Sequence, residues 1–385
     1  MGTAVPWDDL GIASLVQSRT LSATLPVILC APHGGNAVDG DQAETLLERP
    51  PVSPSTRGGC GGSISLVADV GTSQLLEEID RRLARKCSVD TNGFATAVDA
   101  PAAVVALFHR KYVDANRSFA DENAVAVHPS CTRGRDVHAC YHRTIEAAIG
   151  SLGSRFTPQR ASASHSMGGD DCTKQEEDEK GIRLLLLDVH GQCKFANKLL
   201  IGTCNGKTAD LQKLNMPEKG FLWHLRRTLS AKDEARRDYG PDDCERGTGR
   251  DRRERKDRIS EARNDRSGRE KEGAKQNDAV GVLPLPGEDE VSGYTGGYTV
   301  RRHGILAQAA VAPAPPVSAA ETAKGAGERK ISDRVAVAVD AIQLEFGSRL
   351  RRTPEARAVA AEAVASAVFR HLQEQQQSAK SSSSG

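Results

Sequence analysis

Two histidines carry the chemistry for which this chain can be read. His33 closes the run Leu25-Pro-Val-Ile-Leu-Cys-Ala-Pro-His33 and is followed by Gly34-Gly35; His190 closes Arg183-Leu-Leu-Leu-Leu-Asp188-Val-His190 and is followed by Gly191. Both runs read as the carboxyl ends of strands buried on two faces, the edge of an open α/β sheet where ligands gather. Two imidazoles delivered there can share one metal ion, and the neighbouring glycines let backbone come close to a bound group. The alternative is that each ring is a structural hydrogen-bonding group. Asp188, two residues before His190, could fix an imidazole tautomer or cap a turn.

A catalytic zinc takes three protein ligands and keeps one position open for water, so a third ligand is required. Asp69, in Val67-Ala-Asp69-Val-Gly-Thr72, is preferred, although an acid just before a helix also serves as an ordinary partner of the helix dipole. Asn36 is the other possibility, and a neutral amide is a poor zinc ligand. In Asp114-Ala-Asn116-Arg117 an amide stands beside a guanidinium fork that can grip a carboxylate in two places; a surface salt bridge would use the same residues. Glu345 lies within the apolar Ile342-Gln-Leu-Glu345-Phe. Burying a carboxylate there is costly unless it has a partner or a task, so Glu345 is a candidate base or acid beside a metal-bound water, with a salt bridge to Arg349 or Arg351 as the alternative. Gly202-Thr-Cys-Asn-Gly206-Lys207-Thr208 follows a strand as a phosphate loop would, yet it has three residues between its glycines where the Walker pattern has four. No GxSxG elbow is present.

These residues need elements to hold them. Candidate strands are 27–31, 103–109, 184–188, 199–203 and 341–346; candidate helices are 72–86, 135–152, 209–228 and 354–373. In the last, Thr353 can cap, Pro354 suits the first turn, and Ala361, Val364, Ala365, Val368 and Leu372 repeat on one face. Strand and helix alternating predict an α/β fold, a mixed, mostly parallel central sheet flanked by helices. The expected unit is a single domain over 1–377. Polar insertions at about 158–180 and 230–277, a linker at about 309–327 and a tail at 378–385 bury too little apolar surface to order themselves.

Charge and composition exclude other classes. Lys and Arg number 52 against 51 Asp and Glu, a net charge of +1, so no global field draws nucleic acid or an acidic membrane. The charged insertion carries no interleaved aromatics on which bases could stack, and it reads as a solvated spacer. Nine cysteines at 30, 60, 87, 131, 140, 172, 193, 204 and 244 form no CxxC pair, as expected of reduced thiols in a cytoplasmic protein. No apolar run approaches the ~18 residues of a membrane span, the amino terminus lacks the pattern of a secretory signal, and Pro6 stands where myristoylation needs Ser or Thr.

Taken together, Pro32-His33-Gly-Gly, Ala68-Asp69, Asp114-Ala-Asn116-Arg117, Tyr141-His142-Arg-Thr-Ile, Asp188-Val-His190-Gly191, Gly296-Gly-Tyr-Thr with Arg302-His303-Gly304, and Gln343-Leu-Glu345 with Leu350-Arg351 resemble, in order, the N-formylglutamate amidohydrolase family. Its members are zinc hydrolases related in fold to zinc carboxypeptidases. The resemblance implies that His33 and His190 bind zinc, that Glu345 is the catalytic carboxylate, and that Asn116 and Arg117 hold the carboxylate of a small acyl-amino acid substrate. Arg301, Arg302 or His303 would steady a second carboxylate or the oxyanion. The related carboxypeptidases place a glutamate three residues after the first zinc histidine, where this chain has Asn36, so Asp69 remains the preferred third ligand. Another zinc amidase or carboxypeptidase-like peptidase, or a metal-free scaffold, are the competing readings.

Overall fold

The apolar runs become the inner strands of one sheet. The structure, a computed structural model, describes residues 12–20, 22–35, 46–49, 69–88, 99–119, 125–156, 183–238, 280–284, 288–292, 294–305 and 337–383. Within these the strands are β1 (Val16–Arg19), β2 (Val27–Ala31), β3 (Ala102–Ala106), β4 (Leu184–Gln192), β5 (Lys198–Gly202), β6 (Gly281–Leu283) and β7 (Val339–Gly347). The helices are α1 (Thr72–Ser88), α2 (Thr132–Phe156), α3 (Leu211–Asn215), α4 (Phe221–Asp238), α5 (Tyr298–His303), α6 (Ser348–Arg351) and α7 (Pro354–Ser383). Asn36, the 158–180 insertion, the 309–327 linker and most of the 230–277 insertion lie outside the described residues. Residues 230–238 continue α4, and α7 runs past the expected end at Gln373 through most of the tail.

The strand order is β1-β3-β2-β4-β7-β5-β6. The inner strands β3, β2, β4 and β7 run parallel, while β1 is antiparallel to β3 and β5 is antiparallel to β7. The sheet is therefore mixed, not mostly parallel as expected. The reason at β5 is the short link 193–197 after β4: a parallel return needs a crossover of a dozen or more residues, so the chain reverses instead.

Period-two alternation sends neighbouring residues to opposite faces. Val27, Leu29, Leu185, Leu187, Ile342 and Leu344 pack with α1, α4 and α7, through Leu75, Ile79, Leu225, Val364 and Val368. Ile28, Cys30, Leu184, Leu186, Val339 and Ala341 pack with α2 and α5, through Val137, Tyr141, Ile145 and Val300. Each fully buried leucine on these faces contributes about 1.5–3 kcal/mol over its exposed state. The expected single helix over 209–228 is two, because Pro217 cannot donate to a helical ladder, Glu218 has φ 64°, and a Cβ at Gly220 would lie 2.1 Å from the Leu214 carbonyl oxygen. No helix among the described residues is long and apolar enough to cross a membrane.

Candidate metal centre

Alternation along β4 puts Asp188 and His190 on one face, and alternation along β7 puts Gln343 and Glu345 on one face; the parallel register sets Asp188 opposite Gln343 and His190 opposite Glu345. His190 lies inside β4, which extends to Gln192 and past the end expected at Asp188. His33 follows the neighbouring strand β2, and Asp69 opens the turn into α1, where its backbone N–H donates to the His33 carbonyl (3.2 Å) and its own carbonyl accepts from the Thr72 hydroxyl (2.8 Å). Three separate elements thus bring His33, Asp69 and His190 together, all buried, with one potential ligand atom from each within 4.8 Å of the others. This group can hold a metal ion.

Two of the three separations match those around an ion. Asp69 Oδ2 lies 3.3 Å from His33 Nδ1 and 3.4 Å from His190 Nδ1, and ligands about 2.0–2.1 Å from a tetrahedral ion stand about 3.3–3.4 Å apart. The outward nitrogens are held from behind: His33 Nε2 is 2.7 Å from Asp114 Oδ1 and His190 Nε2 is 2.9 Å from Asp188 Oδ2. An ionised carboxylate only accepts, so each Nε2 donates outward; each Nδ1 faces Asp69, donating to it in the metal-free site, and a metal ion would take the place of those inner protons. Of the two roles open to Asp188, the structure shows the tautomer lock.

Electrostatics follow from burial and crowding. Burial alone would raise the Asp69 carboxyl, but hydrogen bonds from His190 and His33 outweigh it and hold the group well below the usual carboxylate range. Burial likewise opposes charge on His190, yet the charge and hydrogen bond of Asp188, with help from Asp69, lift the ring well above its ordinary value. Glu345 is raised, chiefly by burial, with the His190 charge pulling the other way. Its Oε1 accepts from Gln343 Nε2 at 2.6 Å, and Gln343 Oε1 accepts the Gly297 N–H. The Arg351 guanidinium goes to Phe346, Gln192, Val70 and Cys193 and not to Glu345.

The remaining expected residues divide. Asn116 reaches the cluster, with Nδ2 3.3 Å from His190 Nε2, while its Oδ1 accepts the Thr299 N–H (3.0 Å). Arg117 lies one layer back, its Nε donating to Asp114 Oδ2 at 3.0 Å. Arg302 is turned to α2: Nη2 is 2.8 Å from Glu146 Oε1 and Nη1 2.7 Å from the Tyr298 hydroxyl. The salt bridge weighed as the alternative for Asp114 and Arg117 forms, but turned inward, and Arg110 went unread in the sequence. Asp114 is wholly buried and collects His33, Arg49, Arg110 and Arg117; Arg110 also sets Nη1 3.7 Å from Asp69 Oδ1. Burial works against the Asp114 charge, but Arg110, His33 and Arg49 hold it well below the carboxylate range. The available signal was the spacing Arg110-x-x-x-Asp114-x-x-Arg117, which brackets one acid with two guanidinium groups. The Walker-like loop is already filled: Glu290 Oε1 accepts both the N–H and the hydroxyl of Thr203, as a phosphate oxygen would.

No protein-family model, curated protein or solved structure matches this chain.

Proposed function

We propose that the chain is a cytoplasmic zinc-dependent amide hydrolase that cleaves the N-acyl group from an acidic amino acid, N-formylglutamate to glutamate and formate. The observation that carries the reading is the convergence of His33, Asp69 and His190 on one point with Glu345 opposite His190 in the sheet register. Two imidazoles and one carboxylate are the ligand number and type of a catalytic zinc. When bound, zinc supplies a Lewis acid that polarises the acyl oxygen and acidifies water.

The chain supplies the rest. Glu345, fixed through Oε1 by Gln343, takes the proton of the attacking water on its other oxygen and returns it to the departing amine nitrogen. Its raised pKa suits a group that must both accept and give back a proton near neutral pH. Arg110, beside Asp69, and Arg117, held on Asp114, supply the cationic charge that an acidic substrate requires, and Asn116 adds an amide next to His190. Arg302 serves a second substrate carboxylate by exchanging Glu146 for it.

The test is formate release from N-formylglutamate against a panel of acetylated and peptidyl amides, with metal content measured on the purified protein. About one zinc per chain and formate release are expected, and Glu345→Gln should lower turnover about 10²–10⁴-fold with zinc retained. Protein that purifies without metal and hydrolyses none of the panel refutes the reading; unchanged turnover in Glu345→Gln removes that residue from it.

A further inference from the structure

Arg351, on the short helix α6 after β7, is a guanidinium sealed inside the protein with a relative exposure of 4%. Among the described residues it has no carboxylate partner. Its donors go to three backbone carbonyls, Nε to Phe346 at the end of β7 (3.2 Å), Nη2 to Gln192 at the end of β4 (3.5 Å) and Nη1 to Val70 in the turn before α1, and Nη2 also reaches Cys193 Sγ at 3.9 Å. Leaving a buried cation on carbonyls and a thiol, with no anion against it among the described residues, is expensive, so the position requires a reason beyond packing.

The partners supply it. Val70 follows Asp69, and Gly191, which follows His190, lies flat against the guanidinium: a Cβ there would be 2.4 Å from Arg351 Cζ. The Gly191 N–H in turn donates to Asp69 Oδ2 at 3.1 Å, the same oxygen that faces both imidazoles. The next residue of the turn, Gly71, has φ 88° and is pressed on the other end of residue 351, where a Cβ would be 2.6 Å from the Arg351 carbonyl oxygen. That carbonyl is held by Arg357 Nη1 at 3.0 Å.

We infer that Arg351 is the positioning residue of the metal centre: its planar fork ties the ends of β4 and β7 to the Asp69 turn, and through Val70 and Gly191 it sets where Asp69 Oδ2 stands against the two imidazoles. A lysine cannot do this, because one ammonium on a flexible stem does not span three carbonyls in a plane. The inference rests on the metal reading of His33, Asp69 and His190, but not on any substrate.

The experiment measures zinc affinity by chelator competition and the visible spectrum of the cobalt-loaded full chain, for wild type, Arg351→Ala, Arg351→Lys and Gly191→Ala. Arg351→Ala and Gly191→Ala act on the same brace from opposite sides. Each should weaken zinc binding about 10–100-fold and alter the cobalt bands, the usual cost of removing the support behind a ligand. Free guanidinium, at millimolar levels that do not denature, should restore affinity to Arg351→Ala and leave Gly191→Ala unchanged. A wild type that binds neither metal refutes the metal centre itself. A wild type that binds, with folded variants that bind equally well, overturns the role of Arg351 alone. An Arg351→Ala defect that guanidinium does not relieve, or that Arg351→Lys repairs fully, also overturns it.

Discussion

Replacing Asp114 by asparagine should separate two duties that the metal centre assigns to different acids. Asp114 Oδ1 receives His33 Nε2 at 2.7 Å and the Asn116 N–H at 3.1 Å, and Oδ2 receives Arg110 and Arg117 at 3.0 Å each, with Arg49 at 3.5 Å. Asparagine keeps the shape but removes the charge on which three guanidinium groups depend. Breaking a buried ion pair from one side costs about 3–5 kcal/mol, and the full buriedness of Arg49 keeps the cost in that range even though Arg110 and Arg117 touch solvent. Asp188→Asn is the comparison. Asp188 Oδ2 serves His190, its Oδ1 has no hydrogen-bond partner among the described residues, and an asparagine carbonyl can still accept from the ring, so about 1 kcal/mol should be lost. Both variants loosen the imidazole they support and should weaken zinc binding about 10–100-fold. Urea titrations of metal-free protein and chelator competition on the loaded protein read the two effects apart. Equal destabilisation by the two substitutions, or zinc affinity unchanged by Asp114→Asn, would refute the division.

Two further outcomes follow from the layer behind the site. His138, His142 and His303 form a contiguous group of rings, with His142 Nδ1 3.0 Å from His303 Nε2 and His142 Nε2 2.9 Å from the Ala115 carbonyl oxygen. Burial, first among the causes, pushes His138 down to about 4 and His303 to about 3, and holds His142 well below its ordinary value. Below pH 6.5 the unfolded chain therefore takes up protons that the folded chain refuses. Stability is complete above 6.5 and falls with pH, by up to about 2 kcal/mol per ring at pH 5; urea midpoints at pH 7 and 5 should show it, with a shallower fall in His303→Phe. Gly297→Ala would set a Cβ 2.0 Å from Asn116 Nδ2, so it should displace that amide and raise KM for an acyl-amino acid about tenfold, the worth of one hydrogen bond, as steady-state kinetics would record.

The inner strands were legible because each is an unbroken apolar run; the end placement holds for His33, just past β2, whereas His190 lies inside β4, which runs on to Gln192. The i, i+2 pairs Asp188–His190 and Gln343–Glu345 were visible as spacing, but nothing local says that β4 and β7 lie side by side with those pairs in register. Asp69 was found through its position before a helix, yet its contact with both imidazoles is a property of the assembled sheet edge. The salt bridge of Asp114 was weighed as a surface one, and its burial and the part of Arg110 stayed hidden because a charged stretch after a strand looks the same whether it is solvated or folded inward. The direction of β5 was written in the shortness of 193–197, a signal outweighed by the general expectation of parallel pairing. Arg302 was assigned by motif order, and its contact with Glu146 depends on how α5 lies against α2, which no spacing reveals.

The three ligand-bearing elements have a thermodynamic consequence. Since β2, β4 and the turn into α1 come from distant parts of the chain, the unfolded polypeptide holds nothing resembling the cluster, and any ion bound there would be counted toward the native state. At a free ion concentration one hundred times the dissociation constant, that mass-action contribution reaches about 2.7 kcal/mol, comparable to the loss of several core methylenes. On the proposed metal reading, the endurance of this molecule would be tied to the supply of metal in its surroundings.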